Sequence, residues 1–478
     1  MEPDNVEQEH ANSGNLQAIM VLVVTASVAL LFWPVLLDVW RYSFDDGTYS
    51  HAFLIPLVAL YVLYDCRQEL QFRQAPSLWL IPLILCLALE LLLYLSQISL
   101  PVRALLPFVL LFSLLSVFKH HKSLYVYALV MLFATPIWGI LSPPLQTLST
   151  NVVEMVMAYT HVPSFFEGNV VSIPSGRFEI ANGCSGLRYF ITSLFLCLLY
   201  IYFNIRGARK AATFFVVCMV GALLVNWVRI IIIILVGHET QMQSDLIHDH
   251  NNLGWYLYIP YLLFAFYVGG KLAQDPLPRA KPVEVSQPSP KVFAYFILAL
   301  LVFSPSLLDW PVVDANQLNS QQTPSEVLYH RSLQVSQYQS VEHQTLSVDD
   351  IELQQWVYLF SGLGLDNKAS FYLNEVVPES MRVNKTENTP RANFVYFRSR
   401  ANQPALLAYS YAGANGLVAN RGALRSQRFS EVLAGKRKSA IVAASVLCAD
   451  ASCNRERAAL EQQLGLFENT ELLFQDPS

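Results

Sequence analysis

The sequence predicts an α-helical polytopic membrane protein that carries a C-terminal soluble mixed α/β domain. Three observations lead there. The chain has 478 residues and is 54% hydrophobic, but the excess is concentrated between residue 19 and about residue 271 in long Leu, Ile, Val and Phe runs. Residues 311–478 have the composition of an ordinary water-soluble domain. Lys and Arg cluster in alternate short loops, as they do when one side of a bilayer retains positive charge.

Runs of spanning length, about 17 to 25 residues, fall at 19–38, 50–66, 78–98, 103–118, 123–142, 188–205, 212–236, 254–271 and 291–309. The first is expected to be a retained helix. Its leading segment "MEPDNVEQEHANSGNLQ" has no Lys or Arg, and no small-x-small cleavage site follows the run. With the N-terminus inside, the cytoplasmic loops "CRQELQFRQ", "KHHK", "RGARK" and "KLAQDPLPRAKPVEVSQPSPK" hold eleven basic residues. The opposite loops hold Arg41, Arg103 and Arg177.

The expected order is a cytoplasmic tail at 1–18, a membrane core of eight helices at 19–271 and a Pro-, Lys- and Ser-rich cytoplasmic linker at 272–290. A ninth transmembrane helix at 291–309 then tethers an exported domain at 310–478. In that domain "NFVYFR", "ALLAYSY" and "SAIVAASVLC" read as strands, and "RFSEVLAG" and "NRERAALEQQLGLF" as helices. Cys448 and Cys453, in "CADASC", are placed either for a local disulfide in an oxidising compartment or as two unpaired thiols. A net charge of −5 and the lack of a Gly-rich phosphate loop argue against a nucleic-acid partner and call for no cofactor.

Under this topology Cys184, in "ANGCSGLRY", stands at the outer mouth of the sixth helix. If that helix starts between Asn182 and Ser185, unpaired amides favour an anion there, and Arg188 lies one turn along the same face. The thiolate is the nucleophilic form of cysteine. The alternative is a small residue in a tight turn. In the seventh helix, "GALLVNWVRIIIIILVG", Arg229 lies about seven residues, or ~10 Å, below the outer end. An intramembrane arginine marks a functional site or snorkels to the headgroups, and Asn226 is spaced to orient its guanidinium. In the next outer loop His250 is nearest the eighth helix, where an imidazole can pass a proton between thiol and leaving amine. It equally fits a solvated loop. "HDH" with Glu239 or Asp245 is a weak metal pattern, and no metal is expected.

Taken together, "CSGLRY" at 184–189, "NWVRI" at 226–230 and "HNNLGW" at 250–255 resemble the exosortases, bacterial multi-pass membrane cysteine transpeptidases. "YSHAFLIPLVALYVLY" resembles that family's second helix. The resemblance covers about residues 20–271 and implies Cys184 as nucleophile with Arg229 and His250 as catalytic partners. It implies as substrates exported proteins with a C-terminal sorting tail, made of a Pro-Glu-Pro-type motif, a transmembrane helix and a basic end. An amine or glycolipid acceptor, or water, would resolve the acyl-enzyme. "ALLAYSYAG" and "RFSEVLAGKRKSAIVAASV" resemble the periplasmic exosortase-associated domain, which implies a Gram-negative inner membrane and an exopolysaccharide context. A transporter or assembly component of polysaccharide export is the competing reading, with Arg229 and Glu90 marking a substrate path.

Overall fold

The computed structural model describes residues 3–43, 48–273, 289–307 and 333–474, apart from 249, 306, 334, 336–337, 371–373, 375, 378–382, 400–401 and 466–469. Most of the expected linker at 272–290 therefore lies outside the described residues. By its contacts the chain divides into two units. The first comprises Met1–Val28, Leu37–Leu83 and Arg103–Ile297, and the second Ala29–Leu36, Ile84–Val102 and Leu298–Ser478.

Helices dominate up to residue 302. They are α1 (Pro3–Leu31), α2 (Trp33–Ser43), α3 (Ile55–Cys66), α4 (Leu80–Leu95), α5 (Ser99–Val117), α6 (Lys122–Leu129) and α7 (Ser142–Met157). A small sheet follows, with β1 (Phe165–Glu167), β2 (Val170–Ile173) and β3 (Gly176–Glu179) paired antiparallel in that order. Then come α8 (Leu187–Asn204), α9 (Ala208–Glu239), the single turn α10 (Asp245–His248), α11 (His250–Leu272) and α12 (Pro290–Val302). Among the described residues, five segments are long and apolar enough to cross a membrane: Gly14–Leu31, Ser99–Val117, Leu187–Asn204, Ala208–Glu239 and Asn252–Leu272. A sixth is the pair Lys122–Phe133 and Trp138–Met157, which bends by 68°. Three shorter apolar helices, His51–Cys66, Leu80–Leu95 and Pro290–Val302, occupy other expected spans. The chain is a multi-pass membrane protein.

The bend corrects the expectation of one straight helix over 123–142. Pro136 has no N–H to continue the ladder, and the chain passes through a 3₁₀ turn at Val130–Phe133 before it can restart. The freed carbonyls find other donors. Thr135 Oγ1 (2.7 Å) and Trp138 Nε1 (3.0 Å) both donate to Leu132 O. His51 Nε2 lies 2.9 Å from Phe133 O; a carbonyl only accepts, so this nitrogen carries the proton. Beyond the bend the chain continues as α7, with Pro143 and Pro144 in its first turn, where their missing amides cost nothing. Residues expected to form an outer loop are thus a 16-residue helix.

The small sheet closes over that helix. Val171 and Ile173 of β2 pack with Val153 and Met157 of α7 and with Ile230 and Ile234 of α9, and Phe178 and Cys184 lie against the same cluster. The turn between β2 and β3 is latched to the end of α9, where Ser175 Oγ lies 3.1 Å from His238 Nδ1.

In the second unit β4 (Ser340–Val348), β5 (Ile351–Phe360), β6 (Val383–Asn388), β7 (Asn393–Arg398), β8 (Pro404–Gly413), β9 (Gly416–Val418) and β10 (Ser439–Leu447) form one antiparallel sheet. Its order is β4-β5-β10-β8-β7-β6, with β9 on β8. The register aligns Ile441 with Tyr358 and Tyr411. Successive side chains of a strand face opposite ways, so Ile441 and Ala443 enter one core with Leu424, while Ala440, Val442, Ala444 and Val446 enter another with Ala459, Leu460 and Leu464. The helices α13 (Arg421–Leu433) and α14 (Asn454–Gly465) therefore cover opposite faces. Asn420 caps α13 by accepting from Ala423 N at 2.7 Å. Cys448 and Cys453 form a disulfide.

Candidate active site

Cys184 does not lie in the first turn of a helix. It ends a 3₁₀ turn, Asn182–Cys184, and α8 begins only at Leu187 after Gly186. Gly186 sits at φ +86° with Asn226 against it, and a Cβ there would meet Asn226 Cγ at 2.8 Å. The left-handed backbone and the close side chain both select glycine. With the helix starting at Leu187 rather than between Asn182 and Ser185, the placement of Arg188 one turn along the same face from Cys184 does not hold.

The guanidinium that reaches the thiol belongs to Arg229. Its Nη2 lies 3.8 Å from Cys184 Sγ, and Nη1 donates to Tyr189 Oη at 3.5 Å. The Tyr189 ring lies 5.8 Å from the guanidinium carbon, a cation–π distance. Arg229 is buried, and its Nε has no hydrogen-bond partner among the described residues. Among the described residues no carboxylate pairs with it, and a cation taken this far from water is costly, so its retention there calls for a function. Helix α9 runs ten residues past Arg229 to Glu239, which sets the guanidinium ~15 Å from the helix end at helical rise, deeper than expected.

Asn226 does something other than orient Arg229. Its Nδ2 donates to Cys184 O at 2.9 Å and to Ser149 Oγ at 3.3 Å. The amide holds the backbone of the cysteine itself.

Tyr189, on the first turn of α8, links the arginine to α11. A Cβ on Gly254 would fall 1.7 Å from Tyr189 Oη and 3.4 Å from Arg229 Cδ. At the glycine of "HNNLGW" α11 thus lies directly against the side chains of Tyr189 and Arg229. Lower down, Ser193 Oγ lies 3.0 Å from Tyr258 Oη, and Tyr261 Oη donates to Cys218 O at 2.6 Å, fastening α11 to α8 and α9.

His250 opens α11; its side chain lies outside the described residues. Glu90 is fully buried in α4, and neither carboxylate oxygen has a partner among the described residues.

Residues 39–267 match the family model of the transmembrane exosortases. Over these residues the chain belongs to the transmembrane exosortase family. No curated protein and no solved structure matches the chain. Family membership carries a membrane transpeptidase-like role with protein substrates, and the exosortase region contains Cys184, Arg229 and His250 together.

Sequence reasoning missed Tyr189 and Gly254, which lie inside the quoted motifs, and all of α7. The signal for α7 was available: Ser142, Gln146 and Ser149 recur at helical spacing and are all buried. The Pro143–Pro144 pair between Ser142 and Gln146 masked it as loop.

Proposed function

We propose that this exosortase is a membrane cysteine transpeptidase that cleaves the C-terminal sorting tails of exported proteins through an acyl-enzyme on Cys184. The observation that carries the reading is the 3.8 Å approach of Arg229 Nη2, on α9, to Cys184 Sγ, in the turn before α8. The fixed cation beside the sulfur is placed to bind the oxyanion that forms when Cys184 Sγ attacks a carbonyl.

The thiolate adds to the scissile carbonyl, and the electron pair moves to the oxygen beside Arg229. Collapse breaks the C–N bond. His250 gives a proton to the departing amine, and the substrate's acyl fragment remains as a thioester on Cys184. An amine or glycolipid acceptor, or water, attacks that thioester and releases the Cys184 thiolate, with His250 taking up the acceptor's proton and so regaining the one it gave to the leaving amine.

The loop charges support a cytoplasmic N-terminus and an exported C-terminal domain. The resemblance of that domain to the exosortase-associated type supports an inner-membrane location and an extracellular-matrix or exopolysaccharide setting. Co-expression with a protein ending in a Pro-Glu-Pro-type motif, a transmembrane helix and a basic end tests the reading. Cys184→Ala is expected to abolish tail removal, while Cys197→Ala and Cys218→Ala, inside the bundle, preserve it. Tail removal at wild-type rate by Cys184→Ala would overturn the proposal.

A further inference from the structure

We propose that α7 is the positioning element for Cys184, and that Gln146, with Ser142 and Ser149, locks the cysteine turn in its reactive geometry. This rests on the reading of Cys184 as the nucleophile.

The turn 180–186 has little to hold itself in place. Apart from its 3₁₀ bond, Cys184 N to Ala181 O at 2.8 Å, it is fixed from outside. Gln146 Nε2 donates to Ile180 O at its start. Ser142 Oγ donates to Ser185 Oγ at its end (3.1 Å), and Ser185 Oγ in turn accepts from Leu187 N at 3.4 Å. Between these points Asn226, itself anchored on Ser149, holds Cys184 O.

The three α7 residues are spaced i, i+4 and i+7, which puts them on one helical stripe. Their exposures are 8% for Ser142, 9% for Gln146 and 1% for Ser149. Buried donors and acceptors of this kind bind firmly because leaving them unpaired is costly. The stripe reaches the turn at its beginning, middle and end. A bend of 68° separates the segment that carries α7 from the helix before it. Loss of one anchor should let the thiol drift relative to Arg229, and a misplacement of about 1 Å costs up to ~100-fold in rate.

Full-length protein in nanodiscs, assayed with a synthetic tail peptide of the composition given above, tests this. Gln146→Leu keeps the side chain's bulk and removes the donor. It is expected to accumulate normally, keep KM within about twofold, lower kcat by ~10- to 100-fold, and speed hydrogen exchange at amides 181–187 alone. Gln146→Glu donates only while its carboxyl is protonated, so its kcat relative to wild type should rise as pH falls. Wild-type kcat in Gln146→Leu, or a pH-independent ratio in Gln146→Glu, would overturn the proposal. If Gln146→Leu does not accumulate, Ser142→Ala removes one anchor at the other end. A lower kcat at unchanged KM then supports positioning, and an unchanged kcat overturns it. Turnover by Cys184→Ala in the same assay would sink the nucleophile reading instead, leaving the exchange result to judge the pinning alone.

Discussion

Arg229 and lysine differ where this site is most demanding. Lysine keeps the charge but lacks the planar fork that reaches both Tyr189 and Cys184. Arg229→Lys should therefore give a membrane-inserted, normally abundant protein whose tail removal is slowed about 100- to 1000-fold, the usual cost of losing one oxyanion donor. Immunoblots of enzyme and substrate from the same cells measure both quantities, and wild-type processing would favour an arginine that merely snorkels. Gly254 offers a second residue-level prediction. Alanine there would collide with the Tyr189 hydroxyl, so Gly254→Ala should displace Tyr189 and its arginine and cut processing ~100-fold while the protein remains abundant. Unchanged processing would show that the Tyr189–Arg229 contact is dispensable. Cys184 and Arg229 could be paired from the sequence because loop charge placed both at one membrane face. The task of Asn226 could not, since spacing along α9 says which face it occupies but not that a backbone carbonyl from another segment waits there.

At the level of elements, apolar length was readable and interruptions were not. The helix α8 occupies Leu187–Asn204 against an expected 188–205, whereas the bend before α7 depends on Pro136 and on a histidine 85 positions upstream in sequence. The strands β7, β8 and β10 lie where alternating apolar residues placed them. The edge strands β4 and β6 did not show, because exposed strands carry mostly polar residues, such as "VNKTEN" in β6. Within the second unit, the turn between α4 and α5 is held by the sheet domain. Gln97 Nε2 donates to Gly364 O at 2.7 Å and to Asn367 O at 3.3 Å, Arg428 Nη2 donates to Gln97 Oε1, and Lys368 Nζ donates to Gln97 O. Burial pulls the Arg428 guanidinium down to about 10, and its Nε and Nη1 have no hydrogen-bond partner among the described residues. Gln97→Ala should destabilise the unit by about 1.5 to 3 kcal/mol, the range for a hydrogen bond to a charged group. Thermal unfolding in detergent reads this as a lower midpoint, and an unchanged midpoint would mean the clamp contributes nothing.

For the whole molecule the first question is sidedness. Cys66 is a poor reporter because it is buried and would stay unlabelled from either side. Exposed positions in the Cys184→Ala background report better: Glu167→Cys on β1 and Lys119→Cys between α5 and α6. An impermeant maleimide added to intact spheroplasts should label the first and reach the second only after permeabilisation. The opposite pattern would invert the topology, and with it the exported placement of the sheet domain. The division into membrane bundle and soluble domain was plain in the composition, since bilayer and water select different residues over long stretches. The site was legible only as separate fragments, because its assembly depends on a bent helix and a three-stranded sheet that leave little trace in hydropathy. The central claim, a covalent intermediate on the cysteine that Arg229 attends, is tested most directly by mass spectrometry of enzyme quenched in acid during turnover of a tailed substrate. The account predicts a hydroxylamine-labile acyl adduct on the peptide containing Cys184, absent from Cys184→Ala and scarce in Arg229→Lys; an adduct on another residue, or turnover by Cys184→Ala without any adduct, would contradict it.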